Sequence, residues 1–263
     1  MAEKAQYRAP ALEKGLDILE ALSVATVPQT LTDLSKTLKR SPSELFRMIT
    51  LLENRGYIVK DNSGYYLSLK LYELAHTHSP VDHLLKAAQQ PMRELALSLH
   101  ESCHLSVLFR GELLVLVQEE SPDKVRLSLE VGGRFSAAHT ASGRLLLAHL
   151  SPSEQEAFFN TDREYLEMDA ADKQWLESEL AKIQEQGYSM SEDESHIGIR
   201  DFAALVGNPQ IGTIAALTVT SLTLKRNRRQ LNEVLDTLLA TAHQITVNMG
   251  IGPKMGSPAV LPN

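Results

Sequence analysis

The sequence predicts an α+β protein in two parts: a small helical domain closed by a β-hairpin, and a larger domain of mainly antiparallel sheet flanked by helices. Three observations predict it. Leucines recur at three- and four-residue spacing through residues 11–55, apolar residues alternate with period two from Cys103 to Leu129 and again after residue 200, and the excess of acids is confined to the second part.

Taken in order, Leu12, Leu16, Leu19 and Leu22 mark an amphipathic helix from Ala11 to Leu22. Leu31, Leu34 and Leu38 mark a second, with Thr30 or Thr32 as its N-cap. Lys39-Arg40-Ser41 turns the chain, and Ser41-Pro42-Ser43-Glu44 opens a third helix that carries Leu45, Ile49 and Leu52 and stops at Gly56. The run YIVKDNSGYYLSL then reads as two short strands joined at Asp61-Asn62-Ser63-Gly64. These elements describe a winged helix-turn-helix over residues 1–75. A stripe from Val81 to Leu99 predicts a linker helix over 76–91, with Pro91 marking a kink or a junction between two helices and the domain boundary. The second domain, 92–250, starts with strands around 103–109, 114–116 and 125–129. Helices near 141–150, 153–159 and 172–186 follow, then strands near 202–206 and 211–220 about the turn Gly207-Asn208-Pro209-Gln210, and a last helix at 225–249. The Gly- and Pro-rich tail, 251–263, is predicted to be disordered.

Composition narrows the function. With 263 residues, 43% hydrophobic and 22% charged, the chain has ordinary globular usage and room for a substantial core. Its single cysteine excludes an intrachain disulfide framework and any multi-cysteine metal site. The N-terminus has no signal-like apolar core, and no run approaches the roughly 18 apolar residues of a membrane span. A cytoplasmic protein with no membrane partner is expected. The net charge of −7 argues against a polyanionic partner until it is divided: residues 1–90 hold 11 Lys and Arg against 10 Asp and Glu, net +1, and the remainder hold 15 against 23, net −8.

A winged helix-turn-helix places a helix in the major groove of double-stranded DNA and its hairpin along the phosphates. Residues 43–55 would be the recognition helix, with Ser41, Ser43, Glu44 and Arg47 at its leading end, on the side away from Leu45, Ile49 and Leu52. Arg47 offers the bidentate fork suited to guanine or phosphate. The serines would donate to phosphate, and Glu44 would accept from cytosine or restrain Arg47. Lys60 and Asn62 are the wing contacts; Arg8, with Lys4 and Lys14, would form an N-terminal arm.

The segment ALEKGLDILEALSVATVPQTLTDLSKTLKRSPSELFRMITLLENRGYIVKD resembles the DNA-binding domain of the IclR family of bacterial transcriptional regulators. The second domain agrees: GGRFSAAHTASGRLLLAHL is similar to that family's helix-opening Thr-Ala-x-Gly-Lys element, and IQEQGYSMSEDESHIGIRDFAALVGNPQIGTIAALTVTS to its Gly-Tyr and strand-turn-strand element. The resemblance covers about residues 10–250. It implies a GAF-like α/β effector-binding domain, homodimers built through the DNA-binding half, often homotetramers, and an operon under control of a small metabolite. Carried over by motif, the effector site is Ala141, Ser142, Ser191, Asp201, Thr218 and Thr220, with Leu127 and Leu129 as an apolar wall. Three positions depart from the family pattern. Asp201 stands where a cysteine is common, Met190-Ser191 where an acid often follows Gly-Tyr, and Arg144 where lysine is usual. An acid at Asp201 suits a sugar-like, polyol or amine effector better than a small organic acid, unless a cation such as Arg200 neutralises it, or Asp201 is protonated or points away. The recognition segment, Ser-Glu-Leu-Phe-Arg, also differs from the commoner Ser-Thr-x-x-Arg, so no operator sequence carries over.

Other chemistry finds little support. No G-x-S-x-G, G-x-x-x-x-G-K or H-E-x-x-H occurs. His100 and His104 bracket Cys103, but an alternating apolar run is where cysteine serves as a small hydrophobe. His76, His78 and His83 with Asp82, and the acids 192–194 with His196, read as solvated segments. The basic run Lys225 to Arg229 suits a subunit contact or solvent. No catalytic residue, metal or cofactor is expected. The competing class is a metabolite-binding module acting through protein contacts alone, which would retain no DNA.

Overall fold

The structure, a computed structural model, describes residues 9–76, 80–194, 197–211, 213–223 and 231–251. The chain divides into two units, 1–79 and 80–263.

The first unit carries α1 (Pro10–Ser23), α2 (Leu31–Leu38), α3 (Pro42–Asn54), β1 (Ile58–Lys60), β2 (Tyr65–Leu67) and α4 (Lys70–His76). Local chemistry sets its corners. Thr30 caps α2: its hydroxyl accepts the Asp33 amide, and the Asp33 carboxylate takes the Thr30 N–H at 3.1 Å. Ser41 and Glu44 repeat this box on α3, with Pro42 in the first turn. The left-handed Lys39, φ 51°, makes the turn between them. Ile18, Leu22, Leu34, Leu45, Ile49, Ile58 and Tyr65 form the core. The buried stripe of α1 therefore runs through Ile18 and Leu22, whereas Leu12 and Leu16 stay 62% and 48% exposed. In the hairpin turn, Asp61 Oδ1 accepts from the amides of Ser63 and Gly64. Gly64, φ 145°, lies so close to Gln29 that a Cβ would sit 2.7 Å from its carbonyl carbon. That approach allows Gln29 and Tyr65 to exchange backbone hydrogen bonds of 2.9 and 2.8 Å, which ties the wing to the loop before α2. Helix α4 was not foreseen.

The second unit opens with α5 (Pro80–Leu99), which runs straight through Pro91. The expected junction there, and with it a linker ending at residue 91, is replaced by one continuous helix. Proline lacks the N–H that would bond the carbonyl four residues earlier, that of Ala87. Asn248 supplies the missing donor: its Nδ2 reaches Ala87 O at 3.2 Å from α10 (Leu231–Asn248). Leu84, Ala88, Met92, Leu95 and Leu99 then stay on one buried face across the proline. Asn248→Ala is expected to orphan that carbonyl and cost about 1–2 kcal/mol of stability, read by urea denaturation.

A six-stranded antiparallel sheet follows: β3 (Ser102–Phe109), β4 (Glu112–Glu119), β5 (Arg134–Ser136), β6 (Tyr188–Glu192), β7 (Ile199–Asn208) and β8 (Thr213–Leu222), in the order β5-β4-β3-β8-β7-β6. One face packs on α5 and α10 through Cys103, Leu105, Phe202, Leu217 and Val219. The other receives α6 (Ala141–Ala148), buried along its whole length, and α9 (Ala170–Gln186) behind it; α7 (Pro152–Thr161) and α8 (Arg163–Glu167) complete that layer. Residues 125–129 are not a strand. The edge of β4 is taken by β5 and by Gly132 and Gly133 at Val115, and past that point side chains hold the segment instead. Ser102 Oγ donates to Leu127 O at 2.7 Å, and Gln118 Oε1 accepts the Leu129 amide. The last helix begins, among the described residues, at Leu231; the basic run 225–229 and the tail 252–263 lie outside them.

Candidate functional site

In the first unit the leading end of α3 is exposed from Ser41 to Glu44 and again at Phe46 and Arg47. Glu44 does not reach toward Arg47. Its carboxylate accepts from Ser41 N and Oγ at 3.2 and 3.0 Å and from Lys14 Nζ at 2.9 Å. The Lys14 ammonium and the Ser41 donors hold its pKa down, to about 2. Glu44 is thus committed to the helix cap, and Lys14 belongs to α1 rather than to an arm. Ser43 Oγ lies 3.2 Å from Ser41 Oγ. Arg47 has no ion-pair partner among the described residues. On the wing, Lys60 is exposed with Nζ 5.3 Å from the Tyr65 ring centroid, and Asn62 is exposed in the turn. Arg8 and Lys4 lie outside the described residues. Phe46, 56% exposed between Leu45 and Arg47, was missed; its position on the outer face of α3 was open to the same helical reading.

In the second unit a cavity of about 300 Å³ lies on the α6 face of the sheet, under the segment 127–129. Strand parity builds it. Ser102, His104 and Ser106 share that face of β3, and the ladder sets Ser102 opposite Thr220, His104 opposite Thr218, Thr220 opposite Asp201 and Asp201 opposite Ser191. Of the motif-derived residues, Leu127, Leu129, Ser142, Asp201 and Thr220 line the cavity together. Thr218 stands one layer back, its Oγ1 2.8 Å from Ser142 Oγ. Ser191 is buried beside Asp201, and Ala141 faces the apolar core rather than the cavity. His104, Leu113, Ser128, Phe135, Thr140 and Ile199 complete the lining and were missed. Thr140 had a visible signal, as the cap of the helix that carries Ser142: its Oγ1 accepts the Gly143 amide at 3.1 Å.

Burial governs the chemistry of the wall. His104 Nε2 lies 3.4 Å from Ser142 Oγ, and desolvation pushes its pKa down to about 4, leaving the imidazole neutral. Cys103, the next residue, points through the opposite face, and burial pushes its thiol up to about 12. The two therefore cannot act as nucleophile and base. Burial raises the Asp201 pKa from its ordinary value; the hydroxyls of Thr220 and Ser191 oppose that shift, Glu194 adds to it and Arg144 opposes it. Arg200 is not the neutralising cation, because it pairs with Glu192. Arg144 is the buried one: 1% exposed on α6, it sets Nη2 2.7 Å from Glu194 Oε2 and its guanidinium 5.3 Å from the Trp175 ring centroid.

Among the described residues no three His, Cys, Asp or Glu side chains converge as a metal site, and no helix is long and apolar enough to cross a membrane. His78 and His196 lie outside those residues.

Residues 11–62 match the IclR helix-turn-helix domain, and residues 77–247 match the C-terminal domain of the bacterial transcriptional regulator IclR. The chain is 28% identical to the transcriptional regulator XynR of Escherichia coli, covering 81% of this chain and 86% of the relative. It is also 28% identical to the regulator KdgR of the same organism, covering 84% and 85%. Its fold is that of an IclR homolog from Microbacterium hydrocarbonoxydans solved with 4-hydroxybenzoate: TM-score 0.77 at 21% identity, over 92% of this chain and all of the other. With a helix-turn-helix whose third helix has an exposed leading end in one unit, a lined cavity in the other and family matches spanning both, the chain belongs to the IclR family of DNA-binding bacterial transcriptional regulators.

Proposed function

We propose that this protein is a cytoplasmic homodimer or homotetramer that binds a palindromic operator of a catabolic or metabolic operon and responds to a small molecule held in the cavity of its second unit. Arg47 carries the DNA half of this reading: it is exposed on the recognition helix, and the acid nearest in sequence, Glu44, is already engaged by Lys14 and Ser41. Ser43, Lys60 and Asn62 add phosphate contacts around it, whereas Ser41 gives both its donors to Glu44. Two such units about one helical turn apart would read successive major grooves. The exposed Leu12 and Leu16 on α1 support a subunit contact in this half. The effector acts through Leu127, Leu129, Ser142, Asp201 and Thr220, with Ser191 and Thr218 supporting from behind. Nothing in this arrangement assigns a catalytic role.

Coupling requires a differential affinity of the ligand for two states, of the order of 1–3 kcal/mol. Helix α5 is the element placed to report it, since it packs on the sheet behind the cavity and is the chain's own connection back toward the first unit. The test is retention of the operator measured with and without a panel of metabolites. Ser128→Trp, which puts bulk on the lining segment 127–129 that lies over the cavity, is expected to bring the ratio of the two operator Kd values to one. A Ser128→Trp protein with an undiminished response would place the effector elsewhere.

A further inference from the structure

The charges around the cavity select the kind of molecule it accepts. Among the described residues Asp201 is the one acid in the lining; burial keeps His104 neutral, and the rest are hydroxyls or apolar. Among the described residues no lysine or arginine lines the cavity. Arg200 precedes Asp201 on β7, so its side chain leaves by the other face of the sheet, where it pairs with Glu192. Arg144 stands outside the lining and faces Glu194 at 2.7 Å, so its charge is already met.

A carboxylate entering this space would be stripped of water beside another acid, with no cation among the described lining residues to receive it, which is unfavourable. An ammonium reverses the balance. It brings three donors to a wall of acceptors, Asp201, Thr220 and Ser142, and the contact to Asp201 is charge-assisted. The rest of the wall, Leu113, Leu127, Leu129, Phe135 and Ile199, is apolar and calls for a hydrocarbon body. A volume near 300 Å³ is at the small end of ligand sites.

We propose that the effector is a small primary amine with an apolar or aromatic body, its ammonium seated on Asp201 and its body against Phe135, Leu127 and Leu129. This rests on the reading of the cavity as the effector site. An amine favours the ionised form of Asp201 and so opposes the upward shift that burial imposes on it.

Benzylamine, benzyl alcohol and benzoate share one skeleton and differ only in head group, so calorimetric titration of the full chain with each isolates the head. Benzylamine is expected to bind at least about tenfold more tightly than benzyl alcohol, with no heat from benzoate. Asp201→Asn is expected to reduce the preference for the amine over the alcohol to about twofold or less. Benzoate binding as tightly as the amine, an amine preference that survives Asp201→Asn, or no binding by any of the three overturns the proposal. Ser128→Trp separates the two levels of the argument. Benzoate that binds the wild type and is lost in Ser128→Trp leaves the cavity as the effector site and removes only the amine. A ligand that binds both proteins equally removes the cavity reading itself.

Discussion

Gly143→Ala is expected to destabilise the second unit by about 3–5 kcal/mol, a large part of the roughly 5–15 kcal/mol that holds a domain folded. Gly143 is the third residue of α6, where the helix passes over the backbone of Ala137. A Cβ there would lie 2.7 Å from the Ala137 carbonyl carbon and nearer still to its oxygen and Cα. These are backbone atoms, so no rotamer change relieves the clash. Nor can α6 retreat, since all eight of its residues are buried. The strain must open the segment 137–140, which also positions Thr140 and Ser142 on the cavity. Thermal unfolding should show a fall of many degrees together with lost ligand binding. Gly187→Ala is the control: φ there is 81°, but a Cβ meets nothing within 4 Å, so only the backbone penalty of about 1 kcal/mol applies. Equal effects at the two glycines would contradict the close approach of α6.

Arg47→Ala is expected to weaken operator binding by about 1–3 kcal/mol, roughly 5- to 150-fold. Its charge is fully available to DNA, because Glu44 is occupied by the cap and by Lys14. Arg47→Lys tells the two possible roles apart. A lysine keeps a phosphate contact and its share of the salt dependence, yet lacks the planar fork that grips a guanine edge. If Arg47 reads a base, the lysine variant should bind all sequences nearly alike; if it grips phosphate, discrimination should persist. Affinity unchanged in the alanine variant across a salt titration would remove α3 from the groove.

The parts of the molecule legible in sequence are those whose cause is local. Ser41-Pro42-Ser43-Glu44 announces a capped helix because every group that makes the cap lies within four residues. Asp61 to Gly64 announces a hairpin because the Asp61 carboxylate bonds its own turn. Pro91 misled because its remedy, Asn248, comes from the far end of the chain. Leu127 and Leu129 alternate as a strand would, yet they are held by Gln118 and Ser102 and face the cavity. Helix α4 and the short strands β5 and β6 carry too little pattern to stand out. His104 went unassigned to the cavity although its parity was plain, because the ladder that sets it opposite Thr218 joins residues with no sequence relation. Family motifs reached Asp201 and Thr220, and the structure adds that Asp201 lines the cavity with no lysine or arginine among the other described lining residues.

The back-to-back arrangement of Cys103 and His104 has a mechanical meaning. Strand β3 is a diaphragm one chain thick: His104 and Ser142 meet on its chamber side, while on the other side Cys103 Sγ donates to the Met92 carbonyl of α5 at 3.4 Å. A displacement imposed on the chamber side reaches the helix through the side chains of this one strand. Scanning mutagenesis should therefore find no string of relay residues between effector and helix. Sensitivity should gather in the diaphragm itself, where a single altered volume at Cys103 or Leu105 detunes the response while every ligand contact stays in place.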